Sequence, residues 1–273
     1  IWLNSIFLKN SSITIRIVDE KESQSLNYSY RKQKKPPLFV YTGTPEITVG
    51  ATDHFGYKIP TDEKVPMVIP DLKNARWSYA SSKGLGEQVI ISSGLKYIII
   101  RPHNIYGPNQ VYDDPYRNVV SIMINRNLQG QPSIIYGDGE QTRCFSYIDD
   151  VIYCLEKLAL DPKIYSEIIN VGPDESSCSI NTLSSLVANS SGYNGKPIYV
   201  KERPQEVKHA TCSADKARQY LEYETKTTLE ESIKKTVEYI RTRGTRPFKY
   251  NLPLEIINDK TPETWKKKLH LRL

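Results

Sequence analysis

One short segment that is apolar almost throughout sets the strongest limit on the fold of this chain. Residues 96–102 read KYIIIRP, with consecutive isoleucines at the centre. Such a strand is typical of a parallel sheet covered on both faces, because a strand with one face in water alternates apolar and polar residues. Further apolar or β-branched runs at 13–19, 38–41, 133–136 and 168–171 are predicted strands.

Helical stretches separate these strands, which favours an α/β protein. The predicted helices cover 1–9, 74–92, 119–128, 150–160, 180–189 and 229–243. Residues 20–37 are polar and are predicted to form a loop or a frayed helix. A long loop is predicted at 51–70, and the tail from Thr245 is predicted to be irregular because prolines interrupt it.

The composition is ordinary for a soluble globular protein and argues against several functional classes. The chain has 273 residues, of which 38% are hydrophobic and 25% charged. Its net charge is +6, but the basic runs at 31–35 and 266–268 are short and typical of solvated surface, so no nucleic-acid partner is predicted. The four cysteines, at 144, 154, 178 and 212, form no C-x-x-C pair and have no histidines at metal-ligand spacing, so no metal site is predicted.

The sequence also lacks the usual signs of a membrane or secreted protein. There is no apolar run of about 18 residues, so no membrane span and no membrane partner are predicted. The pattern of a signal peptide is absent as well. Unpaired cysteines are typical of a reducing compartment, and we therefore expect a cytoplasmic protein with reduced thiols.

A tyrosine and a lysine four residues apart stand out in the predicted helix at 74–92. Tyr79 and Lys83 would lie on one face of that helix, one turn from each other. The lysine ammonium would stabilise a phenolate and lower the pKa of the tyrosine from its usual value of about 10. A phenolate is a general base that can take a proton from an alcohol. On spacing alone, however, such a pair is more often a solvated helix face.

Small and polar residues follow two of the predicted strands. The strand at 38–41 runs into Thr42, Gly43 and Thr44, and the open end of a parallel α/β sheet is where such proteins bind ligands. Asp19 closes the strand at 13–19, where a dinucleotide-binding βαβ unit places the acid that binds the adenosine ribose. Taken alone, Asp19 is better explained as a strand-end acid that begins a turn.

Six separate segments then follow one another in an order that is typical of one family. They read FVYTGTPE at 39–46, YASSK at 79–83, RPHNIYGP at 101–108, YGDGEQTRCFSYIDDV at 136–151, RPQEV at 203–207 and ADKA at 214–217. With these segments the chain resembles the extended short-chain dehydrogenase/reductases, specifically the nucleotide-sugar epimerases, dehydratases and decarboxylases. The resemblance extends from residue 38 to about 240.

The resemblance implies a fold and a division into domains. We expect a Rossmann-type doubly wound parallel sheet that binds NAD, with a smaller C-terminal α/β substrate domain. The NAD-binding domain is expected at 1–108 plus about 140–170. The nucleotide-sugar-binding domain is expected at about 109–139 and 171–273. The family commonly dimerises through the helix that carries Tyr79, so a homodimer is expected.

The resemblance also implies roles for residues at the reaction centre. Tyr79 is implied as the general base, and Lys83 as the residue that holds the nicotinamide ribose and lowers the pKa of the tyrosine. Thr44 matches the hydroxyl residue that hydrogen-bonds the sugar 4-hydroxyl. Glu46 matches an acid that can act near sugar C5.

Cofactor and substrate positions follow from the same resemblance. On the NAD side, Asp19 would bind the adenosine ribose and four further positions would lie along the nicotinamide: Thr42, Gly43, Pro102 and His103. On the substrate side, a nucleotide-diphosphate sugar, most simply a UDP-sugar, would contact Asn104, Tyr136, Arg143, Arg203 and Glu206. Asn104 would contact the diphosphate, Tyr136 would pack on the base, the two arginines would bind the diphosphate, and Glu206 would bind the nucleotide ribose.

The implied reaction passes through a 4-keto sugar and leaves three outcomes open. Tyr79 would take the O4 proton while C4 gives a hydride to NAD⁺. The keto sugar could be reduced on its other face, eliminate water across C5–C6, or lose a C5 carboxylate. Glu46 is common in the dehydratases and decarboxylases but also occurs in epimerases. Pro45 cannot donate a proton where the dehydratases have Asp, which argues against a dTDP-glucose 4,6-dehydratase. The segment RPHN at 101–104 resembles that of the epimerases, so we favour epimerisation over this dehydratase and over a UDP-glucuronate decarboxylase.

The sequence departs from the family pattern near its beginning. No glycine-rich turn precedes the strand at 13–19, although in the family that turn binds the cofactor pyrophosphate through backbone N–H groups. The turn and the first strand would belong before Ile1. Few residues separate Asp19 from Thr42, where the family has further βα units of about 30 residues each. We therefore expect an incomplete N-terminal part, as in a piece of a fuller protein; the alternative is a truncated, non-catalytic nucleotide-sugar-binding protein.

Overall fold

The fold is taken from a computed structural model, which describes residues 39–73, 77–160, 164–203, 206–251 and 257–271. The predicted helix at 1–9, the strand at 13–19 with Asp19, and the segment 20–37 lie outside these residues.

The described elements follow one another in an alternating α/β order. The first half contains β1 (Phe39–Thr42), α1 (Glu46–Phe55), α2 (Trp77–Ser92), β2 (Tyr97–Pro102), β3 (Ile105–Tyr106), α3 (Val119–Leu128), β4 (Ile134–Tyr136), β5 (Thr142–Arg143), β6 (Ser146–Tyr147) and α4 (Ile148–Leu160). The second half contains β7 (Glu167–Val171), β8 (Cys178–Ser179), α5 (Ile180–Ser191), β9 (Ile198–Val200), β10 (His209–Ala210), α6 (Asp215–Leu221), α7 (Leu229–Arg243), α8 (Glu263–Lys266) and a 3₁₀ turn (Leu269–Leu271).

A parallel sheet with the order β1–β2–β7 positions the first set of predicted site residues. Its central strand is buried on both faces, with Ile98, Ile99 and Ile100 at most 1% exposed, as the apolar run predicts. Because side chains alternate along a strand, Ile98 and Ile100 face one layer and Ile99 faces the other. The first layer contains α4 and α6, which supply Cys154 and Leu221 to the same core.

A second apolar core lies where α3, α5 and α7 pack together. Ile124 of α3, Leu183 of α5 and Ile233 of α7 are fully buried in it. Ile135 of the short strand β4 joins the same cluster, and β4 pairs in parallel with β9. The α3–α5–α7 core therefore forms one wall of the region that carries the predicted substrate residues.

Helix α1 shows that the predicted loop at 51–70 is wrong in its first part. The helix begins after Pro45, whose φ of −68° already suits a helix, and it ends at Gly56 in the left-handed conformation with φ of 67°. Its sequence contains β-branched residues and Gly50, which are weak helix formers. A Cβ on Gly50 would lie 2.0 Å from the Val68 carbonyl oxygen, so close packing against the following segment stabilises the helix.

The tail is more ordered than the sequence predicts. The expected irregular structure from Thr245 is wrong at Glu263–Lys266, which is helical, and at Leu269–Leu271, which forms a 3₁₀ turn. Thr264 and His270 are buried at 4% and 7% exposure. Within the described ranges, no helix combines the length and the apolar composition that crossing a bilayer requires.

Candidate functional site

A cavity of about 320 Å³ opens at the carboxyl end of the β1–β2–β7 sheet. We call it the inner cavity. It is lined by every described residue that was predicted for catalysis or cofactor binding, together with two of the substrate positions: Thr42, Gly43, Thr44, Glu46, Tyr79, Lys83, Pro102, His103, Asn104 and Arg143. Of the residues predicted to bind the cofactor, Asp19 lies outside the described residues.

Helix α2 brings the tyrosine and the lysine to this cavity. Lys83 Nζ donates a hydrogen bond to the Thr42 carbonyl oxygen at 3.0 Å, and it lies 5.6 Å from the centre of the Tyr41 ring. The Tyr41 hydroxyl donates in turn to the Lys83 carbonyl oxygen at 3.4 Å. These contacts fasten α2 to the end of β1. Tyr79, one turn earlier, is 52% exposed where it lines the cavity.

The threonine and the acid that follow β1 lie at the start of α1. Thr44 is only 5% exposed, and its hydroxyl accepts a hydrogen bond from the Glu46 N–H at 3.4 Å. This contact fixes the threonine hydroxyl at the first turn of the helix, beside the inner cavity. Glu46 lines the inner cavity and also the neighbouring one described below.

A buried ion pair lies behind the inner cavity, and sequence reasoning missed it. Arg101 of β2 donates to both carboxylate oxygens of Glu87 on α2, at 2.9 and 2.6 Å. A Cβ on Gly43 would lie 2.4 Å from Glu87 Oε1, so a larger residue here would force either the backbone or the carboxylate to shift. The sequence did contain a signal for this pair. Arg101 is a charged residue inside an apolar strand, and such a residue requires a buried partner. Glu87 follows Lys83 by one turn of the helix that packs beside the strand.

His103 is a buried neutral side chain in the wall of the inner cavity. It is 3% exposed, and neither ring nitrogen has a hydrogen-bond partner among the described residues. Burial lowers the pKa of His103 to about 4, against smaller opposing effects of the Pro173 carbonyl and Asp174. Gly172 allows the chain to pass close by, since a Cβ there would lie 2.8 Å from the imidazole Cγ. A buried neutral imidazole fits the predicted place beside a nicotinamide.

A second cavity, of about 310 Å³, adjoins the first, and we call it the outer cavity. Its lining includes all the predicted substrate residues: Asn104, Tyr136, Arg143, Arg203 and Glu206. Glu46, Asn104 and Arg143 line both cavities. At this junction the backbone of Asn104 is in the left-handed region, with φ of 21°. Its side-chain amide donates a hydrogen bond to the Cys144 carbonyl oxygen at 2.8 Å.

The two arginines of the outer cavity have different surroundings. Arg143 Nη2 donates to Glu206 Oε1 at 2.5 Å and to the Val207 carbonyl oxygen at 2.7 Å, so an acid balances its charge. The guanidinium of Arg203 lies over the indole ring of Trp265, 5.5 Å from its centre. In the part of the chain that the structure describes, no carboxylate forms an ion pair with Arg203.

Residues near the end of the chain complete the outer cavity, and sequence reasoning missed them too. Pro262, Thr264, Trp265 and His270 are all part of its lining. The Tyr136 hydroxyl lies 2.6 Å from the Thr264 hydroxyl and accepts the Thr264 N–H at 3.1 Å. No local pattern pointed to this segment, because its place in the site depends on contacts with residues far away in the chain.

Among the described residues, no group of three or more histidine, cysteine, aspartate or glutamate side chains is arranged to hold a metal ion. The described cysteines are free thiols, and burial is the largest cause that raises the pKa of each, Cys154 to about 12 and Cys178 to about 11.

Known proteins are similar to this chain in sequence and in fold. Among curated relatives, the UDP-N-acetyl-alpha-D-glucosaminuronate decarboxylase of Bacillus cytotoxicus is 32% identical over 175 residues, which cover 61% of this chain and 54% of the relative. A Methanocaldococcus jannaschii protein provisionally named UDP-glucose 4-epimerase is 34% identical over 192 residues, covering 68% of this chain and 58% of the relative. The chain thus spans little more than half the length of these curated relatives.

Solved structures confirm the predicted α/β Rossmann-type fold. The Thermotoga maritima UDP-glucose 4-epimerase, solved with UDP-glucose, superposes with a TM-score of 0.64 at 32% identity, over 76% of this chain and 64% of that one. The sequence profile described as the NAD dependent epimerase/dehydratase family matches residues 5–172, which is more than half of the chain. The order of the six motifs, the sheet-end cavity and this match lead to one conclusion: the chain belongs to the NAD-dependent epimerase/dehydratase family.

Proposed function

We propose that this chain carries the proton-transfer and substrate-binding residues of an NAD-dependent nucleotide-sugar epimerase. The observation that carries the proposal is the junction of the two cavities. Thr44, Tyr79 and Lys83 line the inner cavity, whereas Arg203 and Glu206 line the outer one. A nucleotide sugar lying across the junction would have its sugar beside the tyrosine and its diphosphate beside the arginines.

The inner cavity supports a base-assisted oxidation of the sugar. Tyr79 takes the proton from sugar O4, and the Thr44 hydroxyl hydrogen-bonds the same oxygen. Lys83 uses one N–H on the Thr42 carbonyl, which leaves donors for the nicotinamide ribose. Thr42, Gly43, Pro102 and His103 would hold the nicotinamide, and NAD would supply the hydride acceptor for sugar C4. Inversion of C4 would require return of the hydride to the other face of the 4-keto sugar, with Tyr79 giving its proton back to O4.

The outer cavity supports binding of a nucleoside diphosphate. Arg143 and Arg203 present guanidinium groups, whose planar forks suit phosphate oxygens. The Glu206 carboxylate accepts a hydrogen bond from Arg143 and would exchange that contact for the ribose hydroxyls of the nucleotide. Tyr136 would pack against the base, and Asn104 would contact the diphosphate at the junction. A UDP-sugar is the simplest substrate, because the similar proteins from B. cytotoxicus and T. maritima are named for UDP-sugars.

We also propose the domain division that the sequence predicts. The β1–β2–β7 sheet belongs to the NAD-binding domain, at 1–108 plus about 140–170. The α3–α5–α7 core belongs to the nucleotide-sugar domain, at about 109–139 and 171–273. The α3–α5–α7 cluster lies mainly on one proposed side, with Tyr106 and Phe145 as contributors from the other. The cluster of β2 and β7 includes Leu221 of α6, so this apolar core extends across the proposed boundary. Limited proteolysis with and without UDP tests it, since a cut between the domains should be slowed by the ligand.

A homodimer remains a prediction that exposed residues of α2 support. Leu85 and Val89 lie one turn apart and are 62% and 55% exposed. Pairing of this face with a second copy would remove both side chains from water. Light scattering of the full chain would give the oligomeric state, and a monomer for both the natural chain and a Leu85→Glu variant would contradict the pairing.

Decarboxylation is the second candidate function. Glu46 favours it, because this residue lines both cavities and its carboxylate would act near sugar C5. The similarity to a decarboxylase from B. cytotoxicus favours it as well. Pro45, at the same turn, has no proton to donate, and this argues against a dehydratase. A non-catalytic nucleotide-sugar-binding protein is the third candidate, and it predicts UDP binding without turnover.

Product analysis separates these candidates. The full chain is incubated with NAD⁺ and, in separate samples, UDP-glucose, UDP-glucuronate and dTDP-glucose, and the products are identified by NMR. An inverted C4 supports epimerisation, whereas carbon dioxide from UDP-glucuronate refutes it in favour of decarboxylation. Tyr79→Phe should lower turnover by about a hundredfold to ten-thousandfold and leave substrate binding unchanged. Tyr199→Phe is the matched control, because Tyr199 is similarly exposed at 54% and lines neither cavity.

A further inference from the structure

We propose that residues 262–270 form a wall of the nucleotide site and that Trp265 holds Arg203 in position for the diphosphate. This inference rests on the proposed function, because it assigns a positioning residue to the same outer cavity. It assigns a role in nucleotide binding to residues 262–270, which lie outside the six motifs and outside the matched region at 5–172.

The contact between Trp265 and Arg203 is the first observation. The guanidinium lies 5.5 Å from the centre of the indole ring, within the range of a cation–π interaction. The indole has Tyr116 as an aromatic neighbour, with the two ring centres 4.9 Å apart and the ring planes at 71°. Trp265 therefore contacts both an aromatic ring and the arginine, and its contact with the guanidinium restricts the positions that Arg203 can adopt.

The charge balance of the cavity is the second observation. Arg143 is paired with Glu206, so a phosphate that binds Arg143 must compete with a carboxylate. Arg203 is held instead by an aromatic ring, which attracts the cation without cancelling its charge. Across the described residues no carboxylate competes for it in an ion pair. Arg203 thus offers a positive charge in a fixed place, and an ordered side chain loses less entropy when its ligand binds.

The anchoring of the segment on both sides of Trp265 is the third observation. Thr264 is 4% exposed, and its carbonyl oxygen accepts the Tyr250 hydroxyl at 2.8 Å. Its hydroxyl and N–H contact the Tyr136 hydroxyl at 2.6 and 3.1 Å. On the other side, His270 is buried and its Nδ1 lies 3.4 Å from Arg126 Nη1. The indole is therefore mounted on a fixed backbone, and the same backbone holds Tyr136 in the cavity wall.

Calorimetric titration of the full chain tests the proposal with two probes, UDP and inorganic pyrophosphate. Trp265→Leu should weaken the binding of both probes by a similar factor, roughly two- to thirtyfold, because the ring acts on the phosphate-binding arginine. Trp265→Phe should recover most of the affinity, since it keeps an aromatic face. Leu271→Ala is the matched control: this side chain is 54% exposed just beyond the segment, and its removal should leave both affinities unchanged.

A double-mutant cycle separates positioning from general damage to the fold. Arg203→Gln should weaken UDP binding by roughly ten- to hundredfold, as expected for the loss of a charged hydrogen bond. In the Arg203→Gln background, Trp265→Leu should add no further loss, because the arginine through which it acts is gone. A structural role would instead lower affinity by the same factor in both backgrounds, and that result overturns the proposal.

The remaining outcomes each have one meaning. If Trp265→Leu weakens UDP but not pyrophosphate, the indole contacts the base, and the positioning role is refuted. If the natural chain binds UDP and Trp265→Leu binds it equally well, this inference fails while the proposed function stands. If the natural chain binds neither probe, the nucleotide site itself is refuted, and the proposed function fails together with the inference.

Discussion

Replacing Glu87 by glutamine should destabilise the fold far more than a substitution on the surface. The carboxylate makes two hydrogen bonds to Arg101, at 2.9 and 2.6 Å, and the two side chains are only 5% and 6% exposed. Glutamine keeps the shape of the side chain but removes the counter-charge, so the arginine would remain buried without compensation.

The expected size follows from the geometry of this pair. Two unit charges about 2.8 Å apart attract by about 6 kcal/mol at an effective dielectric constant of about 20. Desolvation of the two ions offsets most of this attraction, so the intact pair contributes little net stability. Removal of one partner leaves the desolvation cost of the other, typically about 3–5 kcal/mol. Arg101 Nη1 already lacks a partner among the described residues, which leaves the guanidinium few alternatives.

Urea unfolding followed by circular dichroism measures the effect. Glu87→Gln should lower the free energy of unfolding by about 3–5 kcal/mol. Glu156→Gln, the same change on an exposed residue of α4, should stay within about 0.5 kcal/mol of the natural chain. The double variant Glu87→Leu with Arg101→Met should be more stable than Glu87→Gln, because no buried charge remains. A single-variant loss below about 1 kcal/mol, or a double variant less stable than the single, would refute the reasoning.

Two further predictions concern the walls of the inner cavity. Gly43→Ala should weaken NADH binding in a fluorescence titration. The new Cβ would lie 2.4 Å from Glu87 Oε1, so the backbone beside the cavity would have to shift. An unchanged affinity for NADH would show that the Glu87 carboxylate moves instead. For His103, burial lowers the pKa from 6.5 to about 4, so the unfolded chain binds the proton more readily and stability is lost as the pH falls through this window. Between pH 6.5 and about pH 5, the natural chain should lose about 1.5 kcal/mol more unfolding free energy than a His103→Leu variant. Equal losses in the two proteins would contradict the buried neutral state.

The elements that the sequence predicts well are those whose local signals agree with their packing. Helix α7 spans Leu229–Arg243, as predicted, because a capping box of Thr228 and Glu231 begins it and Gly244 ends it. Helix α3 also has its predicted bounds, with Asn118 as the N-cap residue. In both helices the apolar face and the N-cap residue indicate the same span of residues.

Other elements were missed because distant contacts decide them. Helix α1 has weak helix formers and is stabilised where Gly50 packs against the Val68 carbonyl. The wall formed by residues 262–270 depends on Tyr136 meeting Thr264, 128 positions later in the chain. Motif reasoning selected residues after strands that the structure brings to the same two cavities, since strand ends share one edge of the sheet. It could not find partners that only the folded chain brings together.

The three residues that line both cavities have a consequence for how such a protein could change its specificity. If the sugar lies across Glu46, Asn104 and Arg143, a new sugar can be accommodated by substitutions at this narrow band alone. The wall around Trp265 would still bind the same nucleotide diphosphate. Tyr79 would still take the proton from sugar O4. Specificity for new sugars could therefore arise through successive substitutions at the junction. Nucleotide binding and the oxidation of sugar C4 would stay unchanged.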